Sequence, residues 1–201
     1  MARQDEIHYE VRRTTEPASE PVTRAEALAH AHVDAGDEDD WFDNAIEAAR
    51  RAVEDSFLGR TLIETSLTMT ADEFPDEFRP PGPPLIEVTS LSYIDTDGDS
   101  QTLTEDTDYT VDDSSEPGRV YPCYNEVWPT SRDQPNAVTL VYKAGYGDEA
   151  ADVPAGIKTA IKMLVTHWYQ NRAHVAVGTI TKEIESTIHA VLGPFKAKGV
   201  W

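Results

Sequence analysis

Apolar positions over residues 153–170 (VPAGIKTAIKMLVTHWYQ) recur at Ile157, Ile161, Leu164 and Trp168, with Ala160 and Val165 beside them. Steps of four, three and four residues hold one face of a 3.6-residue period, so this stretch predicts an amphipathic helix. Pro154 sits where a helix tolerates a missing N–H, and Asp152 is the expected N-cap. Two helices are predicted upstream. Thr23-Arg-Ala-Glu26 is a capping box that opens a short helix with Ala25 and Leu28 as its apolar side, ending near residues 32–34. Asp39 or Asp40 is expected to cap a longer helix to about Leu58, with Phe42, Ile46, Ala49, Val53 and Phe57 as its stripe. Its acidic start and later Arg50 and Arg51 suit the helix dipole, and Gly59 stands at the expected C′ position. A fourth helix is predicted over Lys182–Leu192, stopped by Gly193-Pro194.

Between the second and third helices the period changes to two. Ile63, Thr65, Leu67 and Met69 alternate with polar neighbours in a strand over 62–70. After a proline-rich loop come strands at 85–94 and 100–103 around Asp97-Gly98, a hairpin turn signal. Short strands at 109–111 and 119–121 and a last one at 137–143 complete the set. Residues 173–178 are small and β-branched, and an extended segment is expected there. The chain therefore divides into an extended arm (1–20), helical parts (21–60 and 151–194), an inserted β subdomain (61–150) and a short basic, aromatic tail (195–201). The fold class is α+β. Two N-terminal and two C-terminal helices form a four-helix core, because none can bury its stripe alone, and an antiparallel β subdomain is inserted between the pairs.

Charge changes this picture more than composition does. Of 201 residues, 37 are acidic and 17 basic, a net −20. Residues 151–201 hold three acidic and six basic side chains, a net +3, which leaves −23 for residues 1–150. A body of this sign repels duplex DNA, whose recognition depends on neutralising phosphates. Acidity with only six lysines is also the pattern of a protein kept soluble in concentrated salt, which screens the self-repulsion. The opening MARQDEIHYEVRR lacks the apolar core of a signal peptide, and no apolar run approaches the roughly 20 residues that span a bilayer.

Candidate chemistry is sparse. Asp95, Asp97 and Asp99 match the start of a calcium loop, but the sixth and twelfth positions are Ser100 and Asp106 where Gly and Glu are required. An acidic hairpin tip accounts for them, and a calcium-stabilised β module stays as the alternative reading. The six histidines have no metal-ligand spacing. Cys123 stands alone between Pro122 and Tyr124, so no internal disulfide is possible. No nucleophile elbow and no phosphate loop occurs, so no catalytic residue and no cofactor is assigned; a small enzyme without a recognised motif is the weaker alternative. What remains is a concentration of aromatic and basic side chains: His167, Trp168, Tyr169, Arg172, Phe195, Lys196, Lys198 and Trp201. Trp, Tyr and Arg are enriched at interface cores, so these eight are the expected contact surface for a neighbouring subunit or an acidic partner.

A family resemblance joins these readings. Glu-Pro-Val-Thr-x-Ala-Glu-Ala-x-Ala-His (Glu20–His30), Gly-Arg-Thr-Leu-Ile (Gly59–Ile63), Glu-Pro-Gly-Arg-Val (Glu116–Val120) and Trp-Pro-Thr-Ser-Arg (Trp128–Arg132) occur in order. They are followed by Pro-Asn-Ala-Val-Thr-Leu (Pro135–Leu140), Ala-Gly-Tyr-Gly (Ala144–Gly147), Val-Pro-Ala-Gly-Ile (Val153–Ile157) and His-Trp-Tyr-Gln-Asn-Arg (His167–Arg172). Together they resemble the head–tail connector (adaptor, head-completion) proteins of tailed phages, in the longer branch that carries a β insertion. The resemblance implies a subunit that forms a ring, twelvefold, beneath the portal protein. It implies a ring that continues the channel for genomic DNA without reading its sequence and gives the next neck or tail protein a platform. It also implies a virion protein made in the host cytoplasm, with no membrane partner. The acidity departs from bacterial-phage members and fits a virus of a halophilic host, such as a haloarchaeon. This reading predicts that the melting midpoint rises from dilute buffer to molar KCl; an unchanged or lower midpoint by calorimetry would refute it.

Overall fold

The computed structural model describes residues 9–36, 38–171 and 181–197, and it divides into two compact units. The helical unit comprises the described residues of 17–63, 146–171 and 181–197. Its helices are α1 (Arg24–Ala31), α2 (Asp39–Ala52), α3 (Ala155–Gln170) and α4 (Lys182–Leu192). α3 packs against the other three. Its Ile157, Ile161, Leu164 and Trp168 are all 0–1% exposed, each contributing roughly 2 kcal/mol by burial. They meet Phe42, Ile46, Ala49 and Val53 from α2 and its continuation, and Ile188 and Leu192 from α4, in one core. The Thr23 capping box forms as expected, with Glu26 accepting from the Thr23 N–H at 2.8 Å. That bond, first among several, holds the Glu26 carboxyl below its ordinary pKa.

α2 does not end as a regular α-helix. Residues Val53–Leu58 form a π-helical turn, closed by Gly59 at φ 63°. The Glu54 carbonyl accepts the Gly59 N–H at 2.8 Å, five residues on. The Glu54 side chain explains the widening. It is 3% exposed, and it takes the Arg50 guanidinium at 2.9 Å on one oxygen and the Leu62 N–H at 2.9 Å on the other. Arg50, 1% exposed, turns its remaining edge to Glu20, with bonds of 2.8 and 3.2 Å. Burial pulls the guanidinium pKa down, but the hydrogen bonds and charges of Glu20 and Glu54 outweigh it and leave it raised.

The β unit comprises the described residues of 9–16 and 64–145. Strands β1 (Tyr9–Arg13), β2 (Thr65–Ala71), β3 (Leu85–Ile94), β4 (Ser100–Leu103) and β7 (Val138–Ala144) form an antiparallel sheet in the order β1-β2-β7-β3-β4. β5 (Tyr109–Asp112) and β6 (Arg119–Pro122) form a separate hairpin. Along β2 every second residue is buried, beginning at Thr65, which fixes the face that Leu67 and Met69 present to the core. A second cluster ties the loops to this sheet: Trp128 stacks on Phe74 at 5.0 Å and meets Phe78 edge-on.

Several local expectations need correcting. Residues 9–13 of the arm form edge strand β1, paired with β2 from Tyr9↔Ala71 to Arg13↔Leu67; no alternation in the arm signals it. The strand expected at 62–70 begins at Thr65, because Leu62 is held by Glu54 and Ile63 lies in the helical core. In α1 the buried face is Ala27, Leu28 and Ala31, while Ala25 is exposed. Neither Asp39 nor Asp40 caps α2. Glu38 is the N-cap, and Asp39 lies in the first turn, accepting from the Gly36 N–H and from Arg24. Asp152 does not cap α3 either; Pro154 holds that position, and Asp152 accepts the Glu149 N–H in a preceding 3-10 turn. The extended segment expected at 173–178 lies outside the described residues.

The buried pair yields a prediction. Glu54→Ala strands a buried guanidinium and an uncapped N–H, so it should destabilise the protein by about 3–5 kcal/mol. Urea denaturation measures this, and a loss below about 1 kcal/mol would show that the pair is not the lock described.

Candidate functional site

The eight residues expected to form one contact surface sit in different places. Trp168 is 1% exposed and belongs to the helical core. Tyr169 is half-buried; its ring lies 5.0 Å from Phe42 and 5.3 Å from Trp41, pinning the end of α3 to the start of α2. His167 is buried. Its Nδ1 lies 3.3 Å from the Asn171 amide nitrogen, which also donates to the His167 carbonyl at 2.8 Å. With Nδ1 accepting, Nε2 carries the proton, and among the described residues Nε2 is buried without a hydrogen-bond partner. Arg172 lies outside the described residues.

Phe195 belongs to the opposite end of α3. Its ring rests on Gly156, where an added Cβ would stand 2.7 Å from a ring carbon. Its carbonyl accepts from Arg60 Nε, and the Ala197 N–H donates to the Leu58 carbonyl at 3.1 Å. Lys196 is exposed, while Lys198 and Trp201 lie outside the described residues. From Gly156 to His167 is eleven residues, about 17 Å along a helix. His167, Trp168 and Tyr169 therefore do not share a patch with Phe195 and Lys196, which corrects the single surface read from their nearness in sequence.

Two features of the helical unit had no sequence signal. Arg24 bridges α1 to α2, reaching Asp43 at 2.7 Å through Nε and Asp39 at 2.9 Å through Nη1. Beside it opens a cavity of about 450 Å3 with Val22 and Ile46 in its lining and Glu20, Asp43, Asp148 and Glu149 around it. Residues so far apart in the chain are joined by the packing of α1 on α2, which periodicity alone cannot place.

In the β unit the candidate calcium residues make a turn. One oxygen of Asp95 accepts the N–H groups of Asp97, Gly98 and Asp99 at 3.0 Å each, and the other accepts Gln101 Nε2 at 2.7 Å. Both oxygens thus have donors, Gln101 foremost, and these lower its pKa. Among the described residues no group of three or more His, Cys, Asp or Glu side chains is placed to hold a metal ion. Cys123 is half-buried, its sulfur 3.3 Å from Thr110 Oγ1. The neighbouring Tyr124 and Val127 are strongly exposed, on a loop fixed by the Trp128 indole N–H donating to the Asp76 carbonyl at 3.3 Å. No helix among the described residues is long and apolar enough to cross a membrane.

The fold is similar to those of chains from gene transfer agent (GTA) particles. A chain in the neck of an empty GTA particle, computed with C6 symmetry, matches with a TM-score of 0.74 and 19% identity over 96% of this chain and 97% of that one. A chain in the virion of a native gene transfer agent particle matches with a TM-score of 0.73 and 18% identity, over 95% and 97%. A chain in the neck of a native GTA particle, computed with C12 symmetry, gives 0.64 and 16%, over 96% and 97%. At these identities the likeness is one of fold. Neither a protein-family model nor a curated relative matches the chain.

The seat of Phe195 makes a prediction. Gly156→Ala should cost about 1–3 kcal/mol by displacing the ring. The same change in a Phe195→Ala background should cost much less. A double-mutant cycle by chemical denaturation measures the coupling, and equal costs in both backgrounds would show that the two side chains do not meet.

Proposed function

We propose that this protein is a structural subunit of the head–tail neck of a tailed virus or phage-like particle. The observation that carries the reading is the likeness of fold across 96% of the chain to a subunit in a particle neck, with both units included. In this reading copies assemble as a ring, twelvefold, beneath the portal protein; the ring continues the DNA channel and offers a platform to the next neck or tail protein. The symmetries in which the similar chains were computed, C6 and C12, support a ring. The role is mechanical: the residues hold a shape and present contacts, and none acts on a substrate or cofactor.

The charge distribution suits this role. A wall carrying fixed positive charge would bind phosphates, whereas an acidic one lets a packaged duplex slide. Residues 64–145 hold seventeen acidic and four basic side chains, so a channel lined by this unit would repel DNA along its length. The contact surfaces fall at the two ends of α3. Tyr169 and the adjoining Arg172 serve one, braced from within by His167 and Trp168; Lys196, Lys198 and Trp201 serve the other, with Phe195 as their anchor. In this reading the host is halophilic, which the net charge of −20 supports.

Mixing the chain with the purified portal of the same particle, in molar salt, tests this reading. Light scattering should show the portal gaining the mass of a ring of subunits. A portal whose mass stays unchanged at saturating subunit would overturn it.

A further inference from the structure

The β unit leaves apolar side chains bare at one end of its sheet. Among the described residues three large apolar side chains are strongly exposed: Tyr124 at 93%, Val127 at 84% and Tyr9 at 54%. Tyr9 pairs with Ala71, the last residue of β2. Phe74, three residues on, carries the stacked ring of Trp128, and Val127 and Tyr124 stand one and four residues before that tryptophan. The loop that carries Tyr124 and Val127 is held at both ends. At its start the Cys123 N–H donates to the Asp108 carbonyl at 3.2 Å, and the Glu126 N–H closes a turn on the Cys123 carbonyl at 2.9 Å. Asn125, inside that turn, takes φ 66°, which asparagine tolerates better than most residues. At its other end Trp128 is fixed by Phe74 and by its bond to Asp76. A loop on so firm a base presents its apolar groups already ordered, so a partner gains their burial at little cost in conformational freedom. Tyrosine suits that use, being large and having few rotatable bonds.

Charge selects the partner. Tyr109 pairs with Pro122, and the Asp106 N–H donates to the Tyr109 carbonyl at 2.8 Å. Asp106 therefore lies beside the root of the loop, with Glu105 and Asp108 next to it in sequence, and Glu126 is exposed on the loop itself. Over residues 104–128 seven carboxylates stand against one guanidinium, Arg119, which Asp112 already holds at 2.8 Å. Nucleic acid and anionic lipid are repelled by this sign. A second copy is poorly suited too: at least eight of the fourteen described lysines and arginines are paired with carboxylates of their own chain. We propose that the 123–128 loop is a docking knob for a different protein, one presenting an apolar pocket rimmed by lysine and arginine. Tyr124 and Val127 fill the pocket, and Glu126 with the carboxylates at the loop's root meets the rim. Within the neck reading, on which this placement alone rests, the knob is a point where the ring holds the next neck or tail protein.

The test begins with the full-length chain carrying the photoreactive residue p-benzoylphenylalanine in place of Tyr124, made in the cells that produce this protein. Irradiation should join it to one peptide of a protein other than this chain, with lysines or arginines beside the cross-linked residue. The same photoreactive residue at Thr102, exposed on β4, should not give that adduct. The partner so identified is then purified and titrated by calorimetry. Tyr124→Ser and Val127→Ser should each weaken its binding by about tenfold or more. Glu126→Lys should weaken it by about threefold or more, because it sets like charge against the rim. All three side chains are exposed, so the variants should keep the parent's melting curve. An adduct with another copy of this chain, no adduct, or unchanged affinity in the serine variants overturns the proposal; tighter binding by Glu126→Lys overturns the basic rim. If the portal gains a ring of subunits but no adduct forms, this contact is wrong while the neck reading stands. If the adduct forms and the portal gains no mass, the neck reading is wrong while the contact stands.

Discussion

Burying Arg50 obliges the chain to bring carboxylates to it. A guanidinium removed from water must have its donors occupied, and two neighbouring charges must offset its desolvation. Glu54 comes from the next helical turn, and Glu20 comes from the segment ahead of α1. Once Glu54 is inside, its second oxygen needs a donor, and the Leu62 N–H supplies it. One buried charge thereby ties the segment ahead of α1 to α2, sits where α2 loosens into its π turn, and holds the chain where it leaves the helical core for the sheet. Leu62 and Ile63 remain in that core, and Thr65 is the first residue of β2. The boundary between the units is set by hydrogen bonds to Glu54.

This explains what could be read from the residues and what could not. Helical stripes and the alternation of β2 are local periodicities, and each survived into the fold because burial on one face selects them. The capping box at Thr23 and the αL glycine at Gly59 are equally local. β1 carries no sequence signal because its burial alternates but its chemistry does not: Val11 and the charged Arg13 are half-buried, while Tyr9, Glu10 and Arg12 are exposed. The π turn was missed because Glu54 in a helix reads as a solvated residue. The expected caps failed at Asp39 and Asp152 because both carboxylates found other donors one or more residues away.

The candidate contact residues show the same limit at larger scale. Nearness in sequence suggested that the aromatic and basic side chains after residue 166 form one surface. A helix of sixteen residues separates its ends by over 20 Å, and the return through α4 brings Phe195 back beside Gly156. Hence the aromatic groups at the two ends of α3 have different duties. Trp168 and Tyr169 fasten α3 to α2, and Phe195 fastens the residues after α4 to the start of α3.

Phe195 then bears on what the following residues can do. A segment held only by its covalent link would explore a wide volume, and any contact it made would have to offset that freedom. Here the Phe195 ring sits on Gly156, Arg60 donates to the Phe195 carbonyl, and the Ala197 N–H is bonded to Leu58. Lys196 and the residues past Ala197 therefore start from a fixed point on the helical unit. Anchoring of this kind reduces the ordering required when the basic residues that follow meet any partner.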